Sequence, residues 1–301
     1  MIFRFPNYIF ANQLQFVSAI IVSFILLTCQ TMKNISSLVL ILVLSTTFFT
    51  GCKKDKGEPP SLPPQESMVI DFSNFASTTK SVELIPGQKG TENSNWEYAA
   101  IVAGVWKLII NSTMVVPVTA FKAAVSQTPV YISTKNWQWS YTVTLPGGTY
   151  KARLTGLIRT SDVQWKMYIT GTSADAFAEF LWFEGTSKLD GTGGQWILYQ
   201  NATSPVAFLQ IDWTKTASTV GYVKYTYTKN DNFLSSYLEY GLTSNTLNAY
   251  YTIHYLNGVK FSDVNIEWNT TTHNGHVKSL DYLGDSNWYC WDSNKVNVIC
   301  Q

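Results

Sequence analysis

The sequence predicts a mainly β protein, in which an antiparallel meander of about 10–12 strands curls into a barrel or half-barrel and one long kinked apolar helix packs against it. Three observations support this prediction. From Trp137 onward, apolar and polar residues alternate with the period of two that is typical of half-buried strands. Glycine, asparagine and proline turn signals separate these stretches by short links, which favour antiparallel neighbours. Only one segment, beginning near Ser94, has the pattern of a long helix.

The first 51 residues have the composition of a leader. Two apolar runs, 16–29 and 35–49, lie there, and the second is long enough for a signal peptide but shorter than the roughly 20 residues that span a bilayer. We interpret residues 32–51 as a lipoprotein signal peptide. Residues 1–31 are then an extension from a start codon assigned too early, or an extra leader. A helical hairpin of the two runs is the alternative.

The cysteine that ends the second apolar run is the predicted lipidation site. Phe49-Thr50-Gly51-Cys52 resembles a bacterial lipobox, in which small residues precede a cysteine whose thiol takes a diacylglyceryl group. Buried acyl chains contribute about 0.8 kcal/mol per CH2, so several chains on Cys52 would anchor a domain firmly to a membrane. We therefore expect a lipid anchor in the bacterial outer membrane, on its periplasmic face or at the cell surface. A structural or accidental cysteine after a membrane helix is the alternative.

The remaining chain divides into a tether and one domain. Residues 52–68 are charged and proline-rich, which predicts an extended, semi-rigid tether. Residues 69–301 form a single β-rich domain with an N-terminal helix at about 94–126. Arg4 and Lys33 lie in the leader, so 19 basic side chains remain against 20 acidic ones, a formal charge of −1. This balance argues against a nucleic-acid partner, which requires a basic excess.

The helical segment has a start signal and an internal break. Ser94 and Glu97 have the spacing of a capping box, and the run that follows is apolar nearly all round, which predicts a buried helix. Pro117 cannot donate to the preceding turn, so we expect it to break or kink the run, with one helix ending near Asn111 and a shorter one near Val125. The charged residues in the run argue against a membrane span.

Two cysteines near the C-terminus are predicted to form a disulfide. The residues between Cys290 and Cys300 include the polar stretch 292–295, which can turn the chain and bring the two thiols together. An exported protein lies in a compartment where cysteines oxidise, so a disulfide is favoured over a metal site, which would need other ligands.

Several motifs from residue 95 to the C-terminus resemble those of a group of uncharacterised cell-envelope lipoproteins of Bacteroidota type. The shared motifs are Asn95-Trp96, VWKLII, VPVTAF, ARLTG, VQWKMYIT, FLWFEGTSKLDG, LQIDW, SYLEYGL and WYCWD followed by Cys300. They cover most of residues 95–300. The resemblance implies the fold and the envelope location, and it implies no activity, cofactor or catalytic residue.

Two groups of polar residues have the residue types of a chemical site. His273 and His276 could reach one metal, but they lie in a predicted turn without a third ligand nearby, so we interpret them as solvated and predict no metal and no cofactor. Glu179 and Glu184 could form the carboxylate pair of a glycosidase, but an offset of five places them on opposite faces of a regular strand. We therefore predict no catalytic residues and no enzyme activity.

The aromatic content, 15% of residues with 11 tryptophans, instead predicts binding. We expect the helix and the sheet to enclose space for an apolar or lipid-like small molecule. The tryptophans expected to face this ligand are Trp96, Trp106, Trp137, Trp139 and Trp165. A glycan-binding surface protein that uses exposed Trp and Tyr rings is the first alternative. A hydrolase without a recognisable motif is the second.

Overall fold

The computed structural model describes residues 56–75, 92–145, 148–172, 176–216 and 219–300. The predicted leader segments 1–31 and 32–51 and the predicted lipidation site Cys52 lie outside the described residues. The residues from Gly57 to Gln301 form one compact unit.

Fourteen strands form one sheet in the described part of the chain, and each strand pairs antiparallel with its neighbours in the sequence. The strands are β1 (Val130–Ser133), β2 (Asn136–Leu145), β3 (Gly148–Ile158), β4 (Asp162–Gly171), β5 (Phe177–Lys188), β6 (Gly193–Asn201), β7 (Ser204–Thr216), β8 (Thr219–Tyr227), β9 (Tyr237–Leu242), β10 (Ala249–Asn257), β11 (Lys260–Trp268), β12 (Gly275–Lys278), β13 (Tyr289–Trp291) and β14 (Asn297–Val298).

The predicted meander is confirmed, and the sheet is open because β1 and β14 lie at opposite ends of the strand order. A twisted sheet of this size must curl to hide its apolar face. The predicted strands correspond to β2–β13. The strands β1 and β14 were not among the predicted strands, because segments of four and two residues are too short to show an alternating pattern.

One long helix, α1 (Ser94–Ala124), packs on the apolar face and contacts β2 and β3 near one edge of the sheet and β12, β13 and β14 at the other. A second helix, α2 (Leu280–Leu283), is a single turn. The helix α1 continues through Pro117, so the prediction of two separate helices is wrong. Pro117 itself is buried, and burial of the side chains around it offsets the lost backbone hydrogen bond.

The predicted capping box is also wrong. The N-cap residue is Asn93, and its side chain makes no capping hydrogen bond. Asn297, near the C-terminus, supplies the capping hydrogen bond instead. The Asn95 backbone N–H donates to Oδ1 of Asn297 (3.1 Å), and Nδ2 of Asn297 donates to Oγ of Ser94 (3.0 Å). Asn297 lies between Cys290 and Cys300, which the structure joins in a disulfide.

Residues 57–75, which we name the interior segment, run along the apolar face of the sheet. Met68 and Phe75 are buried there, and the Tyr225 hydroxyl donates to the backbone oxygen of Met68 (3.0 Å). At the far end of the segment, the ring of Phe75 packs edge-on against Trp268, with centroids 4.9 Å apart. The interior segment therefore fills part of the core between the early and late strands.

This packing corrects the predicted boundary between tether and domain. The sequence predicted an extended tether over 52–68, but residues 57–68 belong to the compact unit. Pro63, Ser67 and Met68 are buried, and Nε1 of Trp196 donates to Oγ of Ser67 (3.1 Å). Charge and proline content predicted an exposed tether, but this stretch is partly buried and contains one turn of 3-10 helix, Gln65–Ser67.

Candidate apolar binding site

A cavity of about 730 Å³ lies between the middle of α1 and one end of the sheet. We name this end of the sheet the cavity end, and it carries the β6–β7, β8–β9 and β10–β11 connections. The residues that line the cavity are Val102, Val105, Trp106, Ile109, Ser112, Thr113, Val115, Val116, Trp182, Gln200, Asn201, Phe208, Leu209, Tyr227, Phe233, Ser236, Tyr255 and Leu256. No described lining residue carries a formal charge, so the cavity is an apolar space.

Two β-bulges aim aromatic side chains at this cavity. Between β4 and β5, Met167 pairs with Phe183 and Tyr168 with Leu181, so Trp182 is an extra residue. Between β6 and β7, Leu198 pairs with Leu209 and Tyr199 with Ala207, so Phe208 is an extra residue. Both extra residues line the cavity. Bulges commonly redirect side chains near functional sites, and these two each add an aromatic residue to the cavity lining.

The helix α1 forms the opposite wall with side chains that are unusually exposed for apolar residues. Val105 is 51% exposed and Ile109 is 45% exposed, and both line the cavity. The prediction that this helix is buried all round is therefore wrong at its middle. By length and composition alone α1 could cross a membrane, with a mean hydropathy of 1.7 over its most apolar stretch, but its other side packs in the protein core.

Most of the polar lining groups already have hydrogen-bond partners. The hydroxyls of Ser112 and Thr113 donate back to the helix carbonyl of Ile109 (3.1 and 2.7 Å). The Tyr227 hydroxyl donates to Asp231 (2.7 Å). Burial, followed by this hydrogen bond, raises the pKa of Tyr227 to about 12, so the hydroxyl keeps its proton at neutral pH.

Two polar lining groups differ from the others. Nε1 of Trp182 and Oγ of Ser236 are both buried, and neither has a hydrogen-bond partner among the described residues. Ser236 is only 6% exposed. These two groups lie on different parts of the wall, because Trp182 belongs to β5 and Ser236 directly precedes β9.

Of the five tryptophans expected to face a ligand, one belongs to the lining of this cavity. Trp106 lines the cavity. Trp137, Trp139 and Trp165 are buried in the core of the sheet, where Nε1 of Trp165 donates to Ser187 (2.9 Å), and the ring of Trp96 lies under the Lys295 ammonium (4.0 Å). These four residues do not line this cavity. For the three on strands, regular alternation identifies the apolar face but not the part of it that stays unfilled.

The glutamates considered as a carboxylate pair lie on the same face of the sheet, contrary to the prediction. The bulge at Trp182 changes the alternation between them, so Glu179 binds Arg153 with two hydrogen bonds (2.8 and 2.7 Å) and Glu184 forms an ion pair with Lys166 (3.5 Å). The Arg153 guanidinium holds the pKa of Glu179 below its usual value, chiefly through these hydrogen bonds. Each carboxylate is therefore bound by a cation of its own.

The two histidines considered as metal ligands have separate partners. Nδ1 of His273 is 2.8 Å from Oδ1 of Asn74. His276 is not a loop residue as predicted; it lies on β12, stacks on the ring of Trp288 with centroids 3.7 Å apart, and bonds Glu267 (3.1 Å). No group of three or more potential ligands occurs among the described residues.

Comparisons with protein-family models, curated proteins and solved structures found no match to this chain. The cavity is therefore interpreted from its own geometry. The resemblance to envelope lipoproteins stays a prediction.

Proposed function

We propose that this protein binds an apolar or lipid-like small molecule in the cavity between α1 and the cavity end of the sheet. The observation that carries the proposal is the cavity itself, since about 730 Å³ lies within the range of about 300–1,000 Å³ typical of small-molecule sites. Its lining is mostly apolar and aromatic, and it contains no described charged side chain.

The physical basis of binding is removal of apolar surface from water on both partners. Each CH2 group of a ligand that enters the cavity contributes about 0.8 kcal/mol, which is about a fourfold change in Kd. The half-exposed side chains of Val105 and Ile109 would be covered at the same time. A ligand with an alkyl chain therefore gains affinity from the helix and from the sheet.

A series of alkyl ligands tests this proposal. We expect Kd to fall about fourfold for each added CH2 until the cavity is full, and then to level off. Displacement of a fluorescent fatty-acid probe, together with native mass spectrometry of the purified protein, measures both affinity and co-purifying lipid. Affinity that does not depend on chain length, with no lipid retained, would contradict the proposal.

A matched pair of helix variants separates binding in the cavity from binding elsewhere. Val105→Trp places a large ring at the cavity wall and should weaken ligand binding more than tenfold, because the ring occupies the volume of several CH2 groups. Leu108→Trp is the control, because Leu108 is 71% exposed and does not line the cavity. Equal effects of the two substitutions would show that the ligand does not occupy this space.

We also propose that the protein is anchored in the bacterial cell envelope through a lipid on Cys52. The support is the lipobox-like stretch Phe49-Thr50-Gly51-Cys52 after an apolar run. Cys52→Ala should move the protein from the membrane fraction to the soluble envelope fraction, and mass spectrometry should find acyl groups only on the parent protein. Membrane retention of folded Cys52→Ala protein would contradict the anchor and favour the helical hairpin.

Glycan binding and hydrolysis receive less support. The outward aromatic rings of Tyr237, His254 and Phe261 already stack on one another across three strands, with centroids 5.3 and 4.5 Å apart. Ring faces that are stacked on each other in this way cannot also stack on a sugar ring. A glycan array becomes the next measurement if the alkyl series shows no binding.

A further inference from the structure

The mouth of the cavity is formed by apolar side chains that reach the protein surface. Four residues line the cavity and are also exposed to solvent over roughly half of their surface, namely Val105, Ile109, Val115 and Phe233. The first three belong to α1, and Phe233 lies on the β8–β9 connection. The cavity therefore opens at the surface between α1 and this connection.

Two more apolar side chains are exposed close to this mouth. Leu108 is next to Ile109 on α1, and Val259 follows the lining residue Leu256 by three positions, on the β10–β11 connection, where it is 98% exposed. We name these two residues and the four at the mouth the apolar rim. Exposed apolar side chains contribute little to folding, and where they lie together they mark sites of contact with proteins or membranes.

The opposite end of the sheet has no such rim in the part of the chain that the structure describes. Leu189 is the one large apolar side chain exposed on the described connections there, which are residues 159–161, 189–192, 243–248 and 269–274. Most of their other residues are Ser, Thr, Asn, Asp or Gly. The apolar rim is therefore a property of the end that carries the cavity.

The charges beside the apolar rim suit a phospholipid surface. In residues 98–121 of α1, Lys107 is the one charged residue, and it directly precedes Leu108. Lys229 adds a second cation on the β8–β9 connection, whose carboxylate, Asp231, already accepts hydrogen bonds within the protein. Lysines beside exposed apolar side chains are typical of surfaces that lie in a membrane interface, where the ammonium group meets lipid phosphate.

We propose that the apolar rim docks on a phospholipid bilayer, so that the ligand passes directly between the bilayer and the cavity without crossing water. A bilayer is favoured over a protein partner, because the rim surrounds the opening through which the ligand must pass and a protein seated there would close it. Apolar side chains that enter a bilayer leave water without needing a complementary protein surface. This inference rests on the proposed function and specifies where the ligand comes from.

Transfer of a fluorescent fatty-acid probe between the protein and phosphatidylcholine vesicles tests the inference. Leu108→Asp places a carboxylate on the apolar rim and should slow transfer about tenfold, because it removes a leucine side chain that would leave water on docking. Val259→Asp should act in the same direction. The Kd of the probe in solution without vesicles should not change, because neither residue lines the cavity.

Leu189→Asp is the matched control, because it introduces the same charge at an exposed leucine on the opposite end of the sheet, and it should leave the transfer rate unchanged. The same variants are compared in the parent protein and in Cys52→Ala protein, so that the result does not depend on the proposed lipid anchor. Without the anchor, the transfer rate should rise with vesicle concentration, because direct transfer requires the protein to meet a vesicle.

The outcomes distinguish this inference from the proposed function. If the probe binds in solution but Leu108→Asp and Leu189→Asp transfer it at the same rate, docking on lipid is wrong, apolar binding stands, and a protein partner becomes the better occupant of the rim. If the probe does not bind in solution, the proposed function itself is wrong. If either Asp variant does not fold, Leu108→Ser and Leu189→Ser repeat the comparison without a charge.

Discussion

Asn297 caps a helix that lies some two hundred residues away in the sequence. Its side chain accepts from the backbone N–H of Asn95 and donates to Ser94, and its own N–H donates to the backbone oxygen of Glu92 (2.7 Å). The first N–H groups of a helix need acceptors from outside the helix. The Asn297 side chain, in the C-terminal hairpin formed by β13 and β14, therefore holds the start of α1 against that hairpin.

Asn297→Ala should lower the free energy of unfolding by about 1–2 kcal/mol, because it removes the cap and leaves its partners without bonds. Urea denaturation followed by circular dichroism measures the change. Asn294→Ala is the control, since its side chain is exposed in the same hairpin, and it should change stability by less than about 0.5 kcal/mol. Equal losses in the two variants would contradict the capping role.

His276 makes stability depend on pH. Burial lowers the pKa of His276, and the hydrogen bond to Glu267 only partly opposes this effect. The unfolded chain, with an ordinary histidine pKa of about 6.5, therefore takes up a proton at a higher pH than the native state does. The contribution of this group to stability is complete above about pH 6.5 and is lost as the pH falls below that value.

His276→Gln should make the free energy of unfolding less dependent on pH between about pH 7 and 5, because the titrating group is removed. Denaturation midpoints at half-unit pH intervals for the parent and the variant provide the measurement. Parallel pH curves for the two proteins would show that His276 does not carry this effect.

At the scale of the elements, tryptophan and glycine alternate across the strands. Trp137, Gly156, Trp165, Gly185 and Trp196 are successive register partners from β2 to β6. Each glycine leaves room for the neighbouring indole, which covers the backbone that the glycine exposes. This row lets large rings fit side by side on the apolar face of a curled sheet.

Two glycine substitutions should change stability in opposite directions. A Cβ at Gly185 would lie 2.1 Å from the backbone oxygen of Gln195 and 2.6 Å from the Trp196 ring, so Gly185→Ala should destabilise by about 1–3 kcal/mol or more. A Cβ at Gly104 in α1 meets nothing within 4 Å, so Gly104→Ala should stabilise by about 0.5–1 kcal/mol. Thermal melts of both variants test the pair, and destabilisation by Gly104→Ala would contradict the account of the helix.

The strands could be predicted from the sequence better than the cavity could, and the reason is physical. Period-two alternation identifies which face of a strand is apolar, and this was sufficient for β2–β13. A bulge adds one residue without any composition signal, so the positions of Trp182 and Phe208 in the cavity wall were missed. The offset between Glu179 and Glu184 was misinterpreted for the same reason.

Contacts between residues far apart in the chain also could not be predicted from the sequence. A capping box lies within a few residues of the helix start, whereas the cap of α1 comes from Asn297, about two hundred residues away. The proline-rich stretch was interpreted as a tether, because nothing local shows that Met68 and its neighbours fit against Tyr225. Only the disulfide partner of Cys290 was close enough in sequence to be predicted.

At the scale of the whole molecule, the disulfide between Cys290 and Cys300 supports the hairpin that caps α1. A cross-link that closes so short a loop contributes about 2–3 kcal/mol in the chain-entropy model. Asn297 lies within this loop, and the backbone oxygen of Cys290 accepts from Nδ2 of Asn95 (2.9 Å). The cross-link therefore stabilises the contact between the start of α1 and the hairpin formed by β13 and β14.

Cys300→Ser should lower the melting temperature and leave the far-UV spectrum nearly unchanged, because the cross-link closes only the last hairpin. Reduction of the parent protein with dithiothreitol should lower the melting temperature by a similar amount, and a non-reduced digest should contain the linked peptides. Two freely alkylated thiols in the native protein would contradict the cross-link.

The order of the strands also sets an order of folding. Each strand of the meander pairs with its chain neighbour, so the sheet can grow from hairpin to hairpin as the chain is made, with little loop entropy to overcome. The interior segment cannot finish folding in this way, because Phe75 packs against both Trp268 and Trp291. The ring of Phe75 must therefore stay unburied until β11 and β13 have formed, and during that interval the nascent protein depends most on protection from aggregation.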